Sequence, residues 1–138
     1  MLRRLLLFLA MAACLAADAS DEVWDLLSQA ASALSERNPQ AFLAAFDPAM
    51  PGYEKLRTEV SALVSAAEVQ SSIDLESDEG DAANRAVELD WLLRIRPEQE
   101  ATSSIRRQQR VKCRFRKTGK KWRIVAFEPL EFFAPPSP

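Results

Sequence analysis

Around Glu68 the apolar residues change their spacing, and that change restricts the fold more than any single motif does. Before it, hydrophobic positions recur every three or four residues; after it, they alternate with polar ones. Val23, Leu27, Ala30, Ala31 and Leu34 fall on one face of a first helix. Ser20 or Asp21 is its expected cap, with Asp21, Glu22 and Asp25 in a first turn where the helix dipole favours acids. Asn38-Pro39 supplies a cap and a first-turn proline for a short second helix with Phe42, Leu43 and Phe46 on its apolar side. Asp47-Pro48 repeats that signal and Pro51-Gly52 breaks any continuation. A third helix then runs from Tyr53 to about Ala67, with Leu56, Val60, Leu63 and Val64 on one stripe.

Val69, Ser71, Ile73 and Leu75 open a first strand, and the acidic run ESDEGDA turns the chain. A second strand places Val87, Leu89, Trp91, Leu93 and Ile95 on one face and ends at Pro97. The third, from about Thr102 to Lys117, turns Ile105, Arg107, Gln109, Val111, Cys113 and Phe115 inward. Thr118-Gly119 leads into a fourth carrying Trp122, Ile124, Ala126, Glu128, Leu130 and Phe132. Helices first and hairpin-connected strands afterwards describe an α+β domain, three N-terminal helices packed on a four-stranded antiparallel sheet. A chain of 138 residues holds one such domain. It is placed at 20–133, with 134–138 as a disordered tail.

The N-terminus reads as a secretory signal over residues 1–19: Arg3 and Arg4 precede a short apolar run, Leu5 to Ala13, too short to span a bilayer. Ala17-Asp18-Ala19 would release a soluble protein near Ser20. Met11-Ala12-Ala13-Cys14 resembles a lipobox, with Cys14 as the lipidated first residue of the mature chain. The expected location is thus periplasmic, either soluble or anchored through Cys14. Cys14 and Cys113 are the only cysteines, so the mature domain has no internal disulfide, and Cys113, between Val111 and Phe115, is expected to be a buried thiol.

Residues 106–125 hold ten of the eighteen lysines and arginines and no acid. Alternation sends Arg106, Gln108, Arg110, Lys112, Arg114 and Arg116 to the face opposite the apolar set. A hairpin about residues 97–100 would set Leu93 opposite Ile105 and Glu88 opposite Arg110, with Asp90 between Arg106 and Arg110, which neutralises part of the stripe. Single-strand nucleic-acid platforms interleave aromatics with bases on one face. Here Phe115 and Trp122 point the other way, and twenty acids against eighteen bases give no long-range attraction, so nucleic acid is not an expected partner. An anionic membrane surface or an acidic partner fits such a stripe, which could orient a lipidated protein on the membrane.

Taken together, the stretch DEVWDLLSQAASALSERNPQAFLAAFDPAMPGY and the last hairpin, KTGKKWRIVAFEPLEFF, resemble the nuclear transport factor-like superfamily, the cone fold of SnoaL-like cyclases and ketosteroid isomerase. The resemblance covers roughly residues 21–133. It implies a curved sheet wrapped around the helices and a pocket at the mouth of the cone. Members include enzymes, ligand binders and domains that only mediate association.

Pairing the last two strands about Thr118-Gly119 would set Phe115 opposite Trp122, Cys113 opposite Ile124, Val111 opposite Ala126 and Gln109 opposite Glu128. Arg107, Gln109 and Glu128 would then point inward together, as a ligand site or as a mutually satisfied pair at the sheet's open end. Trp91, Phe115, Trp122, Phe42 and Phe46 would supply the apolar wall. The chain has no histidine, which removes histidine-based mechanisms. The remaining catalytic candidates are Glu128 as base, with Tyr53 or Arg107 stabilising an anion. A second carboxylate is lacking, because Asp74 and Asp90 fall on outward positions. The acidic turn from Asp78 to Asp81 lacks calcium-loop spacing, so neither a metal nor a cofactor is expected. The function these residues suggest is an exported, non-catalytic domain for a small apolar or amphipathic ligand, or for association. The alternative is a lyase or isomerase built on Glu128. A homodimer through the sheet face bearing Val125 and Phe127 is compatible with either.

Overall fold

Three helices precede four strands: α1 (Leu2–Ser35), α2 (Pro39–Leu43) and α3 (Tyr53–Ala66), then β1 (Ala67–Gly80), β2 (Asn84–Pro97), β3 (Ile105–Thr118) and β4 (Lys121–Glu128). Short 3-10 turns follow at Glu98–Glu100 and Leu130–Phe133. This computed structural model describes the backbone of residues 2–100 and 103–136, and side chains within 18–99 and 103–136. The Cys14 side chain lies outside the described residues.

The first helix does not begin at Ser20. It is continuous from Leu2, because no glycine or proline interrupts the chain before Ser35 and the alanines and leucines of 12–17 favour helix. Its inward face is the expected one, with Val23, Leu27, Ala30, Ala31 and Leu34 all buried. The helix closes on Arg37, a non-glycine residue in the left-handed region at φ 58. The Asn38 amide donates to the Ala33 carbonyl at 2.9 Å and the Arg37 amide to Leu34 at 3.2 Å. The Arg37 guanidinium compensates for that backbone cost by capping another helix. Its Nε donates to the Val64 carbonyl at 2.8 Å and its Nη2 to Ser65 at 3.2 Å, and it pairs with Glu98.

The Asn38 Oδ1 accepts from the Ala41 amide at 3.0 Å, so the cap-plus-proline start of α2 holds. Asp47-Pro48 starts no helix. Asp47 accepts from the Ala49 amide at 2.8 Å in a tight turn, its own amide donates to the Ile124 carbonyl at 2.9 Å, and the Ile124 amide donates to Ala45 at 2.8 Å. The loop after α2 is thereby sewn to the outer edge of β4.

The strands form one meander in the order β1-β2-β3-β4. Both hairpin registers sit two residues from the expected ones: Ile105 faces Ile95, Arg110 faces Asp90, and Phe115 faces Ile124. A shift of two preserves the faces, so Val87, Leu89, Trp91, Leu93, Ile95, Val111, Cys113 and Phe115 are all buried as alternation requires. Two bulges do change faces. One falls at Glu76 in β1, which continues to Gly80, farther than the alternation suggested. The other inserts Val125 between Ile124 and Ala126, so that Phe127 faces Cys113 and Glu128 faces Lys112. Phe127, expected on the outer face as a dimer contact, is therefore a core residue at 4% exposure, and Glu128 is exposed on the outer face.

The fourth strand also stops early. Pro129 cannot continue the ladder, and the chain folds back as Leu130–Phe133 with Phe132 and Phe133 both buried, which no strand alternation allows. Ala134 to Pro136, assigned to the tail from the sequence, are half-buried.

Candidate functional site

The concave face of the sheet, closed over by the helices, is where such a fold would hold a ligand. Trp91 stands at its centre, fully buried, with its indole Nε1 donating to Ser71 Oγ at 2.8 Å. The C-terminal turn fills the space around it. The Phe133 ring centroid lies 5.1 Å from Trp91, 4.9 Å from Phe42 and 5.3 Å from Phe127, and Phe132 lies 6.2 Å from Trp91. Phe42 in turn stacks at 5.1 Å on Phe46. Such tilted and edge-on contacts are how rings pack in an interior. Trp91, Phe115, Phe42 and Phe46 are all buried, and the rings packed on Trp91 and Phe42 include the chain's own Phe132 and Phe133.

Arg107 holds this arrangement shut. Half-buried on β3, its Nη1 donates to the Phe132 carbonyl at 2.6 Å and to the Ala134 carbonyl at 2.8 Å. Partial burial lowers its pKa from the ordinary guanidinium value, but a guanidinium titrates so high that it stays charged. Two carbonyls take up its charge, where an anion or Glu128 was expected.

The expected polar trio does not assemble. Gln109 is in phase with the core, but β4 ends opposite Lys112, so nothing covers Gln109 and it is exposed beside Trp91 of β2. Glu128 is turned to the opposite face by the Val125 bulge. Tyr53, at the start of α3, lines a different space: an open groove of about 960 Å³ on the helical side, shared with Trp122, Arg57 and the lysines of the β3–β4 turn. Neither Glu128 nor Arg107 lines that groove. Trp122, 7% exposed, forms the edge of that groove, with its Nε1 donating to Glu22 Oε2 at 2.6 Å. Lys117 reaches the same carboxylate oxygen at 3.4 Å.

One buried charge escaped the alternation argument. Arg85, in phase with Val87 and Leu89, is 7% exposed, and its Nε donates to Asp78 Oδ1 at 2.7 Å while its Nη1 reaches the Asp81 carbonyl at 3.3 Å. Continuing the period of β2 back by two residues would have found it. The turn from Asp78 to Asp81 thus holds a structural ion pair, Arg85 with Asp78. Beside it, a recess of about 440 Å³ opens between α1 and β1, floored by Val23, Leu27, Ile73 and Val87. Among the described residues no group of three or more metal-ligating side chains could hold an ion. Cys113 is a free thiol whose pKa burial pushes upward, so it is neutral and unreactive.

Helices gathered on the concave side of a strongly hydrogen-bonded four-stranded meander define the nuclear transport factor-like cone fold, and this chain has that fold. No family model matches the sequence, and no curated protein matches it. Solved structures do. A conserved protein from Planctomyces limnophilus DSM 3776 superposes with a TM-score of 0.70 at 10% identity, over 78% of this chain and 91% of that one. An NTF-2-like protein of unknown function from Shewanella oneidensis MR-1 gives 0.65 at 10% identity, over 78% and 95%. A putative calcium/calmodulin dependent protein kinase II association domain from Xanthomonas campestris gives 0.65 at 15% identity, over 77% and 82%. Likeness at these identities is one of fold.

Proposed function

We propose that this chain is an exported, non-catalytic cone domain that acts through its outer surfaces, in association, and not by enclosing a substrate in the cone. One observation carries the reading: the interior that a ligand or substrate would occupy is filled by Phe132 and Phe133 and closed by Arg107. Of the catalytic candidates, Glu128 lies outside it, and the Cys113 thiol beside it is neutral. The likeness to a protein described as an association domain supports the same direction. Export is supported by the arginine-led apolar segment 2–13, with anchoring through Cys14 or release after Ala19 as its two outcomes. Association through the sheet face no longer has Phe127 as a contact, leaving the half-buried Val125 and Ala126 among charges.

Native mass spectrometry of the protein, exported from a bacterial host with its own leader and purified gently, tests this reading. The expected result is a ligand-free chain, with the denatured mass reporting whether Cys14 is acylated. A stoichiometric small molecule would overturn the closed-cone reading, and an unprocessed cytoplasmic chain would overturn export.

A further inference from the structure

The outer face of the sheet is not uniformly neutralised. In its middle rows every base meets an acid. Arg110 faces Asp90 and lies 3.4 Å from Glu76, and Lys112 faces both Glu88, at 3.8 Å, and Glu128. Toward the β3–β4 turn the acids recede to the β1 side of the sheet, at Glu79 and Asp81. One row runs from Asp81 through Asn84 and Arg116 to Arg123, and the row beside it from Glu79 through Ala86 and Arg114 to Ala126, so the acids stand two strands away from Arg116 and Arg114. Lys120 and Lys121 sit at the turn itself. All five bases are exposed, and none forms an ion pair among the described residues. Arg116 directly opposite Arg123 is a like-charge cross-strand pair, an arrangement that costs stability. Five exposed bases that form no ion pair among the described residues make this end of the sheet complementary to dense negative charge.

The place of this patch says which negative charge. Glu22 of α1 is fastened to Trp122 and Lys117, so that part of the helix lies against the β3–β4 hairpin. At its other end α1 leads into Arg37, which meets Glu98 in the turn between β2 and β3. The helix thus runs the length of the sheet, and the chain ahead of Asp18 leaves the domain at the hairpin end. That leading chain holds the apolar run from Leu5 to Ala13 and Cys14. Asp18 is one helical turn, about 6 Å, before Glu22.

We infer that the β3–β4 hairpin end, through Arg114, Arg116, Lys120, Lys121 and Arg123, docks on an anionic lipid surface and holds the cone upright beside its N-terminal attachment. The inference rests on the export-and-anchoring reading above. A single acyl chain gives only marginal, reversible membrane binding, and a polybasic patch is the kind of second signal that makes attachment stable. Bases near an anionic surface each strengthen binding about fivefold at low salt.

The test uses the full chain with Cys14→Ser, so that no acyl chain contributes, in co-sedimentation with vesicles of phosphatidylcholine alone or with about one-third phosphatidylglycerol. Binding to the anionic vesicles is expected in low salt, weakened by an ionic strength that screens over less than about 10 Å. Lys120→Glu, Lys121→Glu and Arg123→Glu together should weaken it at least tenfold. Arg94→Glu with Arg106→Glu, exposed bases facing each other near the opposite end of the sheet, should leave it within about twofold. Native tryptophan emission checks that both variants are folded. Equal binding by the parent and the triple variant, or equal loss in both variants, overturns the inference. Fractionation of the expressing cells is read separately: a chain retained unprocessed in the cytoplasm would sink export, while the vesicle comparison would still decide the patch.

Discussion

Replacing Phe133 with alanine tests the closed cone directly. The ring is fully buried, with centroids of Phe42, Trp91, Phe132 and Phe127 at 4.9, 5.1, 5.2 and 5.3 Å. A buried Phe→Ala change costs about 3–5 kcal/mol, the spread reflecting how far the surroundings collapse. Here Phe42 belongs to α2, Trp91 to β2 and Phe127 to β4, so closing the void means moving three elements already held by their own hydrogen bonds. A loss of at least the middle of that range, about 4 kcal/mol, is expected, lowering Tm by roughly 15 °C for a domain of this size. Urea unfolding followed by tryptophan emission should show a lower midpoint with an unchanged slope. The void is apolar, so benzene or a similar small aromatic should raise the variant's Tm and not the parent's. A loss below about 1 kcal/mol, with no benzene effect, would mean that the ring spends little time in the interior. The cone would then be open, and the ligand-binding reading would return.

Gly52 caps α3 at φ 83, and a methyl group there would overlap the Leu130 side chain. Gly52→Ala should therefore cost at least the 1–2 kcal/mol of a left-handed alanine, and Leu130→Ala in the same chain should recover the steric part, as read by thermal unfolding. Arg37→Ala should cost about 1–2 kcal/mol by freeing the Val64 and Ser65 carbonyls, whereas Arg37→Gly should cost about 1 kcal/mol less because glycine relieves the backbone. Cys113 should resist alkylation in the native protein and react only at the rate of unfolding; prompt labelling at neutral pH would contradict its burial. The Ala83 and Asn84 amides, chiefly the first, hold the exposed Asp81 carboxyl below its usual pKa. The turn's extra stability is therefore complete above pH about 4 and fades as acid carries the group through its lowered pKa. Asp81→Ala should flatten that part of the pH profile of exchange at the two amides.

The helical faces and the strand phases were legible because both follow from burial alone. Leu27, Leu34, Leu56, Leu63, Leu89 and Leu93, all fully buried, were assigned inward from period. Registers were not, since residues two apart along a strand present the same face and the turn residues leave that choice open. Bulges are local departures of the backbone with no compositional mark, and the one at Val125 exchanged Glu128 for Phe127 and took the acid out of the expected polar cluster. The C-terminal turn had a signal in Pro129, a residue that ends strands, yet the apparent alternation of Leu130 and Phe132 spoke louder. The role of Arg107 was hidden for another reason. Its partners are backbone carbonyls, which every residue carries and no sequence distinguishes.

The unequal lengths of the last two strands decide which edges of the sheet stand open. β4 ends opposite Lys112, so residues 105–111 of β3 have no strand on that side, and β1 forms the other margin of the sheet. Open margins of this kind are templates on which a further strand can add. The β1 margin carries Glu68, Asp74, Glu76 and Glu79, while the uncovered part of β3 carries Arg106, Arg107 and Arg110. Each margin repels its own kind, which discourages two copies from growing like edge to like edge. Opposite margins attract, but the bulge at Glu76 interrupts one and the C-terminal chain held by Arg107 crosses beside the other. The same short turn that fills the cone therefore also helps to keep the sheet finite.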